Sequence, residues 1–188
     1  MMPMFPPEVM ENVETKTFDV GAWQEQAYRP SNVDFVPRKV ALGGEIIQVI
    51  RKPEGVVLLV EEQPIEKHPT YGSKSVERED SFWYAIAFSG SLESDILQRG
   101  NKLAVVGMTD RADTQIIGGA PMVLPHLLAE CLHIWNTREA EVANFFCYGG
   151  PMGHHPAEER TFCLEEDSVE SLPISEPPGD TQAHSEGL

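Results

Sequence analysis

VALGGEIIQVIRKPEGVVLLVEEQ, residues Val40 to Gln63, is the stretch whose reading decides the fold. Its first half is apolar and β-branched, with the pair Gly43-Gly44 inside it, and glycine within a strand marks a bulge or a sharp bend. KPEG (Lys52 to Gly55) then sets proline early and glycine late and runs straight into the apolar VVLLVEEQ. Two β segments joined by so short a turn form a hairpin. The bend at the glycines suits a coiled strand at the corner of a barrel.

Working downstream, Pro64 to Asp80 carries prolines, Gly72 and many charges and reads as an exposed loop. SFWYAIAFSG follows, with large side chains at Phe82, Tyr84, Ile86 and Phe88 and small ones at Ala85, Ala87 and Ser89. That is the period of a strand with one buried face, and Trp83 belongs to the other face. SLESDILQRGN (Ser91 to Asn101) starts on an N-cap serine and ends near Gly100, with room for one or two helical turns. LAVVGMT (Leu103 to Thr109) resumes the strand pattern, and Thr114 to Gly119 carries a further strand signal. LPHLLAECLHIWN (Leu124 to Asn136) reads both ways. Leu127, Leu128, Cys131, Leu132 and Trp135 fall at helical spacing, so periodicity alone favours a helix there. Asn136 or Thr137, with Glu139 behind it, opens a short helix through Phe146, which Cys147 to Pro156 then breaks with glycines and prolines.

Upstream, Met1 to Pro37 is rich in proline and polar residues with scattered anchors at Phe18, Trp23 and Phe35, and reads as an extended arm. The ordered core is expected to begin just after Pro37 and to reach at least Trp135. Beyond Leu164, the carboxylates Glu165, Glu166, Asp167, Glu170, Glu176, Asp180 and Glu186 stand with no Lys or Arg among them, the composition of a disordered acidic tail. No repeat recurs along the chain.

Composition excludes some partners. The chain has 188 residues, which suits one domain with tails. Its 30 acidic against 14 basic residues give a formal net charge of −16, so nucleic acid and anionic lipid surfaces are repelled. No apolar run has the length of a membrane span, and MMPMFPPEVM lacks the basic and apolar regions of a secretory signal, which taken alone reads as a cytoplasmic chain.

Candidate chemistry is sparse. His154 and His155 lie between Cys147 and Cys163, four potential zinc ligands in a short stretch, yet their spacing matches no zinc pattern and a Gly-Pro loop with exposed histidines is the plainer reading. His126 and His133 read as ordinary strand or edge residues. There is no GxSxG, and Cys131 sits in an apolar stretch where a thiol is usually inert. The glycine pairs form neither GxGxxG nor a P-loop. Glu61 and Glu62, adjacent on a strand, point to opposite faces, and with Glu66 they read as solvated charges at a strand end. No catalytic, metal or cofactor site is expected.

Val40 to Gly72, Leu97 to Thr109 and Leu124 to Trp135, taken in order, resemble the Slp family of starvation-inducible outer-membrane lipoproteins. Gly43, Gly44, Pro64, Gly100, Asn101, Val105, Gly107 and Trp135 fit its pattern. Glycines and a core aromatic organise a barrel without supplying a nucleophile or base, so Gly43, Gly44, Gly100, Gly107 and Trp135 are expected to be structural. The resemblance implies a non-enzymatic, structural or stress-related envelope protein. It would face the periplasm and be held to the outer membrane by a lipid anchor on a cysteine. No Cys comes before Cys131, so either that cysteine precedes this chain, which the polar FPPEVMENV (Phe5 to Val13) favours, or this member is not lipidated. Its partner would be an unknown envelope protein or ligand, not nucleic acid. The order of elements also resembles an OB-fold. The expected fold is therefore mainly β, a small OB-like antiparallel barrel with one or two short helices and irregular tails, in which the segment ending at Trp135 closes the barrel as a strand. The domain reading is arm 1–37, barrel domain with C-terminal helix and loop 38–163, and tail 164–188. An alternative is an OB-like periplasmic module that captures a small or oligomeric ligand, a sugar, peptide or cation, on the face of its second and third strands. The envelope location implied by the resemblance allows disulfides to persist. The expected bridge is Cys131 to Cys163 with Cys147 free, and Cys147 to Cys163 is the rival.

Overall fold

The β-branched halves on either side of KPEG do pair. In the computed structural model, β1 (Lys39–Lys52) and β2 (Gly55–Glu62) form an antiparallel hairpin closed at Lys52↔Gly55. The structure describes residues 4–14, 18–65, 81–92, 95–137 and 158–165. Its other elements are the short helices α1 (Pro7–Met10) and α2 (Val20–Ala27) and the strands β3 (Trp83–Phe88), β4 (Lys102–Ile117), β5 (Ala120–Trp135) and β6 (Glu159–Cys163).

The fold is mainly β. Its six strands lie in the order β3-β2-β1-β4-β5-β6, and a further pairing of β3 with β5 bends the hydrogen bonding into a ring. That closing pair is parallel and short, Ala85↔His126 to Ala87↔Leu128, while the other pairings are antiparallel. β1 makes the corner of the ring. It pairs with β4 over Lys39–Glu45 and with β2 from Gly44 onward, so its partner changes at Gly44-Glu45. A Cβ on Gly44 would lie 2.5 Å from the Glu61 carbonyl oxygen, so the two backbones approach this closely only because no side chain intervenes. The bulge expected from the glycine pair falls at Ile47, where the register with β2 shifts between Ile46 and Gln48.

Inside the ring lies the main core, to which Val40, Leu42, Ile46, Val56, Leu58, Val60, Tyr84, Ile86, Phe88, Leu103, Val105, Leu127, Leu132 and Ile134 contribute. Phe82, Tyr84, Ile86 and Phe88 all point inward and Trp83 outward, as the alternation in SFWYAIAFSG requires. β2 has five consecutive buried residues, Val56–Val60. Its even positions face the interior, and Val57 and Leu59 form a second cluster with Ala85 and Leu124 on the outside.

Two expectations are corrected and one ambiguity is resolved. First, Leu124 to Asn136, which read both ways, holds the strand that closes the ring and not a helix: Leu124–Trp135 is the last three-quarters of β5. Inward positions run Leu127, Ala129 and then Leu132, Ile134, because the register with β4 passes from Gly107↔Ala129 to Val106↔Cys131 and leaves Glu130 as an extra residue. A bulge resets the two-residue period by one, and the result imitates helical spacing. Second, the described residues 95–100 form turns, not a helix. Their polar groups are committed elsewhere: Gly100 N–H donates to Ile46 O, and Asn101 Nδ2 donates to Ile96 O at 2.7 Å.

Third, the arm is not merely extended, and the core does not begin at Pro37. Asp19 caps α2 by accepting from Ala22 N–H at 3.0 Å, and the helix then buries Trp23 and Ala27 in the main core. Trp23 is 3% exposed, lies against Phe18, Phe82 and Tyr84, and donates its indole N–H to Asp110 O. Residues 138–146 of the helix proposed from Asn136 through Phe146, residues 66–80 of the loop and the tail from Glu166 lie outside the described residues.

Candidate functional site

Three places on the ring gather side chains that a shape alone does not need. The first is the outer face where β5 meets β6. β6 adds antiparallel to β5 from Trp135↔Glu159 to Cys131↔Cys163, which sets the two sulfurs side by side, and they are bonded. Two steps along, His133 Nε2–H donates to the Glu159 carboxylate at 3.2 Å, and its Nδ1 meets Thr161 Oγ1 at 2.7 Å. Met4, Phe5, Val9 and Val13 pack over this corner with Ala104, Val106, Cys131, Trp135 and Cys163. The Phe5 ring stands edge-on to His133, Thr161 Oγ1 reaches Met4 O, and Glu14 N–H donates to Lys39 O. The N-terminal segment is thus fastened to one pole of the ring.

The second place is the outer face of β2 and β3. Val57, Leu59 and Ala85 form its floor, but Leu124 and Ile117 of the β4–β5 hairpin pack into the same cluster. The hairpin is long because its turn is tight: Gly118 and Gly119, with φ of 59° and 82°, join Ile117 to Ala120. Two central residues at positive φ give a turn whose twist matches that of the strands. At its root His126 donates from Nδ1 to Leu124 O at 2.8 Å, which leaves Nε2 to accept from the Gln115 amide at 3.0 Å. His126 and His133 are therefore buried strand residues with satisfied nitrogens, and neither is at a free edge. The tip carries exposed apolar side chains, Ile116 and Val123.

The third place is a cleft of about 300 Å³ at the β1–β2 turn, lined by Arg51–Val56 and Ser89–Leu92. In the sequence these residues fall at strand ends, in the KPEG turn and at the expected helix cap at Ser91, with no site expected at any of them. Two adjacent cations at a turn, in a chain of net charge −16, were the available signal.

Of the residues expected to be structural, Gly43 and Gly44 sit at the β1 corner. Gly100 precedes β4 at φ 90°, and Gly107 faces Leu128 and Ala129 across the β4–β5 bulge. Trp135 is buried with its ring 4.5 Å from that of His133. Cys147, His154 and His155 lie outside the described residues. Among the described residues no three His, Cys, Asp or Glu side chains converge as a metal site, and no helix is long and apolar enough to cross a membrane.

The family model described as outer membrane lipoprotein Slp family matches residues 4–159, from the N-terminal clasp through the ring to the first residue of β6. The chain belongs to the Slp family. No curated protein and no solved structure matches it. Slp membership makes the chain an outer-membrane lipoprotein by family. The matched span includes both α1 and α2, so the segment expected to be an extended arm lies within the family match.

Proposed function

We propose that this Slp-family chain is the non-enzymatic body of an envelope lipoprotein, facing the periplasm and serving a structural or stress-related role. The reading rests on the family match over residues 4–159. The position of the N-terminal segment supports it. Met4–Val13 is clasped against the β5–β6 corner, so a lipid-bearing segment ahead of it would leave from that pole. β4 and β5 then run 16 residues each to the Gly118-Gly119 turn, roughly 50 Å at the rise of a strand. A membrane-tethered body of this shape would present the hairpin tip away from the bilayer, toward an envelope partner. In the same reading Gly43, Gly44, Gly100, Gly107 and Trp135 are fold determinants, and the bridge belongs to the oxidised periplasmic form.

The alternative, ligand capture on the outer face of β2 and β3, has the chain's own Leu124 and Ile117 in its way. Labelled palmitate supplied to a Gram-negative host expressing the full gene product tests the main reading. The label should appear on the protein in the outer-membrane fraction, with Cys131 linked to Cys163 in non-reducing peptide maps. An unlabelled product in the cytosol with three free thiols would sink it.

A further inference from the structure

The cleft at the β1–β2 turn inverts the charge of the molecule. Arg51 and Lys52 line it with one carboxylate, Glu54, while the chain as a whole carries 30 acidic against 14 basic residues. Lys52 makes no ion pair among the described residues. Arg51 is held in place by one neutral contact, Nη1–H to Leu92 O at 3.1 Å, and its other N–H groups have no partner among the described residues. Both cations therefore stand beside the cleft with charge that no described carboxylate neutralises by contact.

The opposite wall is Ser89, Gly90 and Ser91, two hydroxyls with the backbone of a turn. It is held close to the cations by sterics. A Cβ on Gly55 would lie 2.2 Å from Phe88 O and 3.0 Å from Ser89 Cα, so the two walls meet over this one glycine. The cleft volume is at the lower end of ligand sites, enough for a small polar group and too little for a large apolar one.

We propose that this cleft binds a phosphomonoester or inorganic phosphate, with the Lys52 ammonium and Arg51 guanidinium on one side and the Ser89–Ser91 hydroxyls on the other. Donors lining two facing walls suit a tetrahedral oxyanion, which offers acceptors in several directions. A planar carboxylate is better served by a single bidentate fork. The overall charge repels an anionic bilayer, so the group reaches the cleft on a soluble molecule and not as a lipid headgroup. The inference is independent of the envelope role proposed above, since it uses residues at neither the clasp nor the hairpin tip.

Amide shifts of the ¹⁵N-labelled chain decide it, with inorganic phosphate as the probe and acetate and chloride at matched ionic strength as comparisons. Phosphate should move Gly55 and Ser89–Ser91 along one saturable curve, with a dissociation constant in the millimolar range. Lys52→Glu should weaken it by roughly tenfold or more while leaving the melting temperature near that of the parent. Lys52→Arg, which keeps the charge, should retain binding. Vesicles of phosphatidylcholine carrying phosphatidate give the other source of the same group, and the chain should not sediment with them. Co-sedimentation that Lys52→Glu abolishes would keep the chemistry and assign it to a headgroup. An absence of saturable shifts, an equal response to acetate, or an unchanged affinity in Lys52→Glu would each overturn the proposal.

Discussion

Replacing Trp23 with alanine separates a core that includes the N-terminal segment from one that begins after Pro37. The indole is 3% exposed and touches Phe18, Phe82 and Tyr84. A buried tryptophan removes about 200 Å² from water, worth roughly 5 kcal/mol at 25 cal/mol per Å². The unfolded chain already hides part of that area, so the transfer contribution falls to about 3–4 kcal/mol. The lost hydrogen bond to Asp110 O adds about 1 kcal/mol. Trp23→Ala should therefore cost about 4 kcal/mol, within the usual range for such deletions. In urea the midpoint should fall at unchanged slope, and the melting temperature should drop by roughly 8–16 °C. Trp83→Ala is the internal control, since Trp83 is only partly buried in the outer cluster and should cost less. A loss below about 1 kcal/mol for Trp23→Ala, inside the range of ordinary surface substitutions, would refute the packing described for α2.

Three further outcomes are expected. Reducing the Cys131–Cys163 bond, which spans 32 residues, should cost about 3–4 kcal/mol by loop entropy. This is read as the difference in melting temperature with and without dithiothreitol in a Cys147→Ser background, and equal melting would argue against the bond. Gly107→Ala sets a Cβ 2.2 Å from Leu128 O and 2.9 Å from Ala129 Cα, so β4 and β5 must part locally at a cost of about 2–3 kcal/mol, measured by urea denaturation. Burial, with the Glu62 charge adding to it, pushes the Tyr84 phenol well above its ordinary value of 10.0. Below that pH the phenol is neutral in both states and has no effect. Above it the unfolded chain ionises first, so stability should fall as pH rises, and Tyr84 should stay silent in ultraviolet titration until the protein unfolds.

The hairpin around KPEG, the inward set of SFWYAIAFSG and the β character of Leu103–Thr109 were legible because period and turn chemistry agreed there. Leu124–Trp135 was misread by periodicity because the extra Glu130 resets the strand phase, and only the resemblance to a barrel pointed to a strand. α2 was missed for a different reason. Its apolar anchors are few, and the cap at Asp19 was the one local signal that the segment is helical. A single indole then supplies its docking, which no window average registers. Between Ser91 and Asn101 the serine-led pattern pointed to a helix, but Gly100 and Asn101 hydrogen-bond to Ile46 and Ile96 instead. The clasp was illegible and the cleft legible only as two adjacent cations at a turn, for a common reason. Each is made by segments far apart in the chain, Met4 with Thr161 and Arg51 with Leu92, which only the pairing of the strands brings together.

The parallel contact of β3 with β5 covers three register pairs, whereas β4 and β5 pair along most of their length. Parallel pairing is also slightly the weaker kind per residue. Local hairpins close at little entropic cost, and distant partners must wait. The order of assembly follows: β1–β2 and β4–β5 zip first, β1 and β4 then join the two hairpins, and β3 meets β5 last. In reverse, that seam is where thermal opening of the native ring begins. Amides at Ala85–Ala87 and His126–Leu128 should then be the first of the ring to exchange with deuterium, ahead of those between β1 and β4.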